Sequence, residues 1–211
     1  TNMGMISSFN YFGYLIGSII PIIWKYSNFR KMIIFSSLIS AVTICLMGCT
    51  KDLNMFCTLR FVCGVSSAVS FVYTISLMFS FFKESLNKTL QLYHFCGIGL
   101  GIVFGTSVVW IISAMDLLWS HQWLFVGLIG ILMCTVIIIF IPNKLDCKNE
   151  ERNSVKSKLQ INFIIISLGY FFFGIGYIIF GTFISAIARN SFEISFYQYV
   201  SWIIVGFFAI P

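Results

Sequence analysis

The sequence predicts an all-α fold, a polytopic bundle of transmembrane helices, and three observations predict it. Only 9% of the residues are charged and 59% are hydrophobic, whereas a water-soluble domain carries about a quarter charged residues to wet its outside. Mean hydropathy is +0.96, and 24 phenylalanines outnumber the charged residues of both signs together. The apolar residues also fall into stretches long enough to cross a hydrocarbon core of about 30 Å. A water-soluble enzyme, a nucleic-acid-binding domain and a disordered tail are excluded on these grounds.

Seven stretches reach or approach the spanning length, at 3–24, 32–50, 55–82, 92–115, 124–141, 161–188 and 198–211. No charged segment precedes the first, so no signal peptide is expected, and both ends read as truncations of a longer protein. In the first span Ser7, Asn10, Tyr14, Ser18 and Pro21 form one stripe at steps of three and four. That stripe is either a cavity lining or a helix contact. Gly13 and Gly17 lie four apart in the same span. The second span carries Ser36, Ser37, Ser40 and Thr43 but only Gly48. In the third, Gly64 and Ala68 repeat the spacing of four, and Arg60 lies about six residues inside the outer end, roughly 8–9 Å deep. Charge at depth is costly and faces a protein interior or a water-filled cavity unless its stem snorkels to the surface.

The fourth span reads GIGLGIVFG, with Gly97, Gly101 and Gly105 on one stripe, and His94 stands three residues inside its cytoplasmic end. His94 reads as an interface residue, with a proton relay as the alternative. The fifth span, LFVGLIGILMCTVIIIFI, is uniformly apolar, as a lipid-facing helix is. The polar segment 142–160 is the one composition break and reads as a cytoplasmic linker between helical bundles. In the sixth span four glycines are interleaved with Phe and Tyr; Tyr170 and Tyr177, two turns apart, line a cavity or pack with other aromatics. All 16 glycines fall inside spans and none in a loop. In a bilayer that distribution serves close helix packing, since the hydrophobic effect no longer drives association there. Gly13, Gly17, Gly64, Gly97, Gly101 and Gly105 are therefore the expected packing residues.

Orientation follows from the cations between spans. The loops after spans one, three and five hold ten Lys and Arg, and the other three hold Lys51 and Arg189. Basic loops stay in the cytoplasm, so Thr1 lies outside. The net charge of +6 is thus a topology signal and no nucleic-acid footprint. The seven cysteines show no C-x-x-C pair, and neither a metal site nor a cofactor is expected. With two His, seven acids mostly in loops, and no H-E-x-x-H or G-x-S-x-G, no catalytic residue can be named and an enzyme is not expected.

Four segments in order resemble the major facilitator superfamily, and within it the uncharacterised YbfB/YjiJ-like transporters. YFGYLIGSIIPIIWKYSNFRK (11–31) looks like that family's second helix and basic loop, RFVCGVSSAVSFVY (60–73) like its fourth, FCGIGLGIVFG (95–105) like its fifth and GYFFFGIGYIIFGTFISAIAR (169–189) like its seventh. The resemblance implies a partial major facilitator fold, seven of twelve spans, from about helix two to part of helix eight. Residues 1–141 are then the N-terminal half lacking its first helix, 142–160 the central linker and 161–211 the start of the C-terminal half. Spans two and five map onto the family's peripheral helices three and six. For Arg60 the resemblance implies a role in proton coupling or in the conformational switch. The chain departs from the family at PIIWKYSNFRK, which lacks the usual Asp of a gating salt bridge, and at GIGLGIVFG, which lacks the proline of drug antiporters.

The expected function is a secondary active transporter that moves a small solute by alternating access. Arg60, Asn10, Tyr14, Tyr170 and Tyr177 are the expected substrate and coupling residues, and protons are the candidate coupling ion. The absence of an acid deep in any span weighs against proton coupling. The expected partners are a lipid bilayer and the solute, with no nucleic acid, and the expected location is the plasma (inner) membrane, as a multi-pass protein. The alternative reading is a seven-helix membrane receptor, which the glycine density and the lack of a surface cysteine pair disfavour.

Overall fold

Seven apolar stretches become seven helices: α1 (Asn2–Ile23), α2 (Phe29–Met47), α3 (Leu53–Phe82), α4 (Thr89–Ala114), α5 (Trp119–Phe140), α6 (Ile161–Phe192) and α7 (Tyr197–Phe208). The structure, a computed structural model, describes residues 2–24, 28–82, 89–141, 161–192 and 196–210. Among the described residues there is no β-strand, and six helices are long and apolar enough to cross a membrane, α7 being shorter. The expected linker 142–160, the loop 83–88 and the side chain of His94 lie outside the described residues.

Helix ends follow local hydrogen bonding rather than the hydropathy edge. α2 begins at Phe29, three residues earlier than expected, because the Asn28 side chain accepts from the Lys31 amide at 3.0 Å and caps the first turn. Asp52 does the same for α3, its Oδ2 accepting from the Met55 amide at 3.0 Å. α5 starts at Trp119 rather than 124, taking Ser120, His121 and Gln122 into its first turn. α4 ends where Asp116 takes φ 53°, in the left-handed region that Asp tolerates better than most residues.

The packed centre joins α1, α2, α3 and α5. At the end that the charge count places in the cytoplasm, Ile33, Val69, Tyr73 and Leu77 form a buried cluster with Ile20, Phe29, Met32, Ile137 and Ile141 against it. The Tyr73 ring meets Phe29 edge-on at 5.3 Å and its hydroxyl donates to the Trp24 carbonyl at 3.3 Å. Serine and threonine hydroxyls in the spans mostly donate to carbonyls three or four residues back, as Ser36 does to Met32 at 2.6 Å and Thr74 to Ser70 at 2.8 Å. With little water in a bilayer core, such internal partners are required. Ser37 and Ser70 instead bond each other across α2 and α3 at 2.8 Å.

Backbone proximity at glycine sets three helix crossings. α1 lies on α3 with Gly13 against the Phe61 carbonyl and Gly64 against that of Asn10. A Cβ at Gly17 would stand 2.8 Å from the Val65 Cα and 2.9 Å from the Ala68 Cβ. α2 meets α5 with Gly127 on Cys45, and Gly130 would carry a Cβ 3.1 Å from that of Ala41. α4 meets α7 through Gly99 and Gly206, where a Cβ on Gly99 would come within 2.5 Å of the Gly206 carbonyl.

Two expectations change here. α5 is not uniformly lipid-facing: one face, with buried Gly127 and Cys134, is packed on α2, while Leu132, Ile139 and Phe140 stay exposed. An all-apolar helix carries no polar face to mark its outer side, so composition hid the contact. Nor do Gly97, Gly101 and Gly105 pack: each has nothing within 4 Å of the place a Cβ would take. Gly99, two residues from Gly97 and Gly101 and so about 200° round the helix from that stripe, makes the contact, because α7 approaches the opposite face.

Candidate functional site

Arg60 starts from an unusual position. Counted from Leu53, the first residue of α3, it lies seven residues in, about 10 Å along the axis. Its guanidinium carbon sits 4.6 Å from the centre of the Trp123 ring of α5, and Phe56 meets that ring edge-on at 5.6 Å. An indole face attracts a cation and contributes about 0.5–2 kcal/mol, more as water is removed. Arg60 Nε is buried with no hydrogen-bond partner, and among the described residues no carboxylate pairs with the group. The described acids stand at helix ends: Asp52 caps α3 and Asp116 occupies the turn after α4. The titratable side chains near the guanidinium are Cys63 and Tyr11. A cation held by an aromatic ring and not by an acid keeps its charge available to something else.

Tyr11 carries the arrangement across to α6. Its hydroxyl lies 3.1 Å from Thr182 Oγ1. Thr182 already donates to the Ile178 carbonyl at 2.8 Å, so Tyr11 is the donor to Thr182. Beside this bond lies a cavity of about 220 Å³ lined by Ser7, Ser8 and Tyr11 of α1 and by Ile178, Thr182 and Phe183 of α6. No charged side chain lines it. A larger open groove of about 610 Å³ runs between α2, α3, α4 and α5, with Ser37, Ser40, Ser67 and Ser70 among its walls.

The expected site residues do not all converge. Asn10 contributes its backbone carbonyl to the α1–α3 crossing at Gly64, and a Cβ on Gly64 would also stand 3.0 Å from the Tyr14 amide, so this part of the α1 stripe is a helix contact. Ser18 turns its hydroxyl back to the Leu15 carbonyl at 2.7 Å. Tyr14 is 37% exposed, on the α1 face beside the crossing. Tyr170 and Tyr177 are 77% and 51% exposed and flank Phe173 at 6.3 and 6.5 Å between ring centres. They belong to an aromatic row on α6, in which every residue from 161 to 173 is exposed among the described residues.

Tyr11, Trp123 and Thr182 are not among the expected site residues, and Arg30 is expected only as one of the cations that set the orientation. Tyr11 stands three before Tyr14 and Trp123 four after Trp119, spacings that signal a shared face but not its partner. Arg30 donates from Nε to the Ile141 carbonyl at 2.9 Å and from Nη2 to that of Ile138 at 2.8 Å. It thereby satisfies carbonyls that the end of α5 leaves without partners. At the loop lacking the family's acid, a basic side chain thus holds a helix terminus directly. Among the described residues no group of three His, Cys, Asp or Glu side chains could hold a metal ion.

A family model described as an uncharacterised MFS-type transporter YbfB matches residues 1–211. No curated protein and no solved structure matches the chain.

Proposed function

The chain belongs to the YbfB-like branch of the major facilitator superfamily, a membrane transporter family, and from that premise we propose that it moves a small solute by alternating access along the seam between α1 and α6. The observation that carries this reading is the shape of that seam. The two helices meet at Tyr11 and Thr182, toward the end that the charge count places outside. Alternating access closes the path on one side of the membrane at a time, and a contact between α1 and α6 near one end is the kind of closure it uses. In this reading 1–141 and 161–211 belong to opposite halves joined by the cytoplasmic linker 142–160, in the plasma (inner) membrane.

Arg60 is the residue we assign to the conformational switch or to coupling. Its guanidinium, without an acid partner among the described residues, answers the charge of a solute or responds to rearrangement of Tyr11 beside it. Asn10 serves the crossing beneath the seam, and Tyr14 and Tyr170 flank the path.

The test is flux. Proteoliposomes holding the full-length protein are loaded with a panel of small metabolites, with and without an imposed pH gradient. Arg60→Ala is expected to abolish movement of any solute the wild type carries while leaving expression intact. Unchanged flux in that variant would remove Arg60 from the mechanism, and no flux of any solute in the wild type would overturn the transporter reading.

A further inference from the structure

We propose that Trp123 is a positioning residue for Arg60: the indole on α5 stops the guanidinium from running out to the membrane surface and holds it inside the bundle. The inference rests on the proposed role of Arg60 for its purpose and on separate contacts for its geometry. Two tendencies draw the Arg60 head outward. Side chains on a helix lean toward its N-terminus, and the N-terminus of α3 is the end that the charge count places outside. A cation on a long stem also gains hydration by reaching the interface. Trp123 stands in that route. It lies four residues inside Trp119, the first residue of α5, so about 6 Å below the outer end of that helix. Arg60, about 10 Å inside the outer end of α3, leans out and meets the ring. The guanidinium carbon is 4.6 Å from the ring centre, within the range of about 6 Å over which an indole face attracts a cation.

The seat is fixed from both sides. On α3, Phe56 stands one turn before Arg60, and its ring meets the indole edge-on at 5.6 Å with an interplanar angle of 78°. One turn of α3 thus presents an aromatic edge and a cation to the same ring. On α5, the residues around Trp123 are wedged against α2. A Cβ on Gly48 would stand 2.6 Å from the Ser120 carbonyl oxygen and 2.8 Å from Leu124 Cγ, and one on Gly127 would stand 2.6 Å from the Cys45 amide nitrogen. The contact continues down the pair through Gly130 on Ala41 and through Arg30 on the Ile138 and Ile141 carbonyls. The indole is therefore carried by a helix braced against α2 from Ser120 to Ile141. The kind of seat matters as much as its place. A carboxylate would take up guanidinium N–H groups, whereas a ring face attracts the charge and takes none. Arg60 Nε, buried, makes no hydrogen bond among the described residues.

The experiment locates the guanidinium by its own chemistry. Intact cells holding the full-length protein are treated with a membrane-impermeant phenylglyoxal, whose two carbonyls condense with a guanidinium. Adduct is followed on the peptide carrying residue 60, with Arg30, at the cytoplasmic end, as the control site. Trp123→Ala is expected to raise the rate at Arg60 about fivefold, and Trp123→Phe to raise it less. The deciding variant carries at position 123 a tryptophan fluorinated on every free carbon of its six-membered ring. That ring keeps its shape but loses the negative charge of its face, so it too is expected to raise the rate at Arg60, with Arg30 unchanged. No rise with the fluorinated ring, even beside a rise for Trp123→Ala, would show a steric plug and overturn the proposal. Equal rises at Arg30 would report a loosened bundle and overturn it as well. The readout needs no flux, so the two readings fail separately. Raised labelling beside unchanged flux in Arg60→Ala would keep the seat and remove Arg60 from the mechanism, while unchanged labelling beside lost flux would keep Arg60 and remove Trp123.

Discussion

Gly64→Ala adds one methyl group where the backbones of α1 and α3 cross. The new Cβ would overlap the Asn10 carbonyl oxygen and stand 3.0 Å from the Asn10 carbonyl carbon and the Tyr14 amide. These are backbone atoms of a helix, so no side-chain rotation relieves the overlap. Carbon contacts rest at about 3.5–4.0 Å, so α1 must withdraw by on the order of 1 Å, and a gap of that size forfeits a quarter to a half of each dispersion well along the crossing. Overpacking costs about 1–3 kcal/mol, and with rigid atoms the upper figure applies. Alanine returns up to about 1 kcal/mol, because glycine inside a helix is the poorer former. The net expectation is a loss of about 2 kcal/mol, roughly thirtyfold in the folded-to-unfolded ratio. The assay is an unfolding titration in mixed dodecylsulfate and maltoside micelles, with Gly4→Ala as the partner variant. A Cβ at Gly4 meets nothing within 4 Å, so the same change there should be neutral or stabilising. Equal effects at the two positions would refute the argument that the α1–α3 crossing is set by backbone approach at Gly64.

Two further predictions concern the cations. Arg30→Ala removes both donors from the Ile138 and Ile141 carbonyls; a charged hydrogen bond is worth about 1.5–3 kcal/mol at most, and partial exposure holds the expected loss near the lower figure, about 1.5 kcal/mol in the same titration. Arg30→Lys should recover only part of it, because one ammonium does not span two carbonyls as the planar guanidinium fork does. Trp123→Ala strips Arg60 of its ring and Phe56 of its edge contact, whereas Trp123→Phe keeps a weaker ring. The expected order of stability is Trp, Phe, Ala, with the Phe step within about 1 kcal/mol, and a Phe variant as unstable as the Ala variant would show that ring size rather than the cation matters there.

Much of the molecule was legible before any contact was known. Span number and type followed from apolar length, and Gly13, Gly17 and Gly64 sit at contacts with another helix. The same reasoning applied to Gly97, Gly101 and Gly105 selected the stripe that stands open, because a spacing of four names a face without naming what approaches it. Arg60 stood out because charge is rare inside a span, yet its seat on Trp123 did not, since the two lie 63 positions apart in the chain. Tyr11 and Thr182, 171 positions apart, left no mark for the same reason.

Apolar length and the placement of cations depend only on each residue's transfer energy between water and lipid. That energy is local, so the sequence by itself determined a helical membrane bundle with one set of ends facing the more basic loops. Which helix touches which is different in kind. In a bilayer every apolar face is equally content with lipid, and partners are chosen by steric fit between backbones and by single hydrogen bonds across long chain separations. Those terms exist only once the helices are assembled. The tertiary structure therefore decided that α5 packs on α2, that Gly99 meets Gly206, and that Tyr11 alone ties α1 to Thr182 of α6 among the described hydrogen bonds.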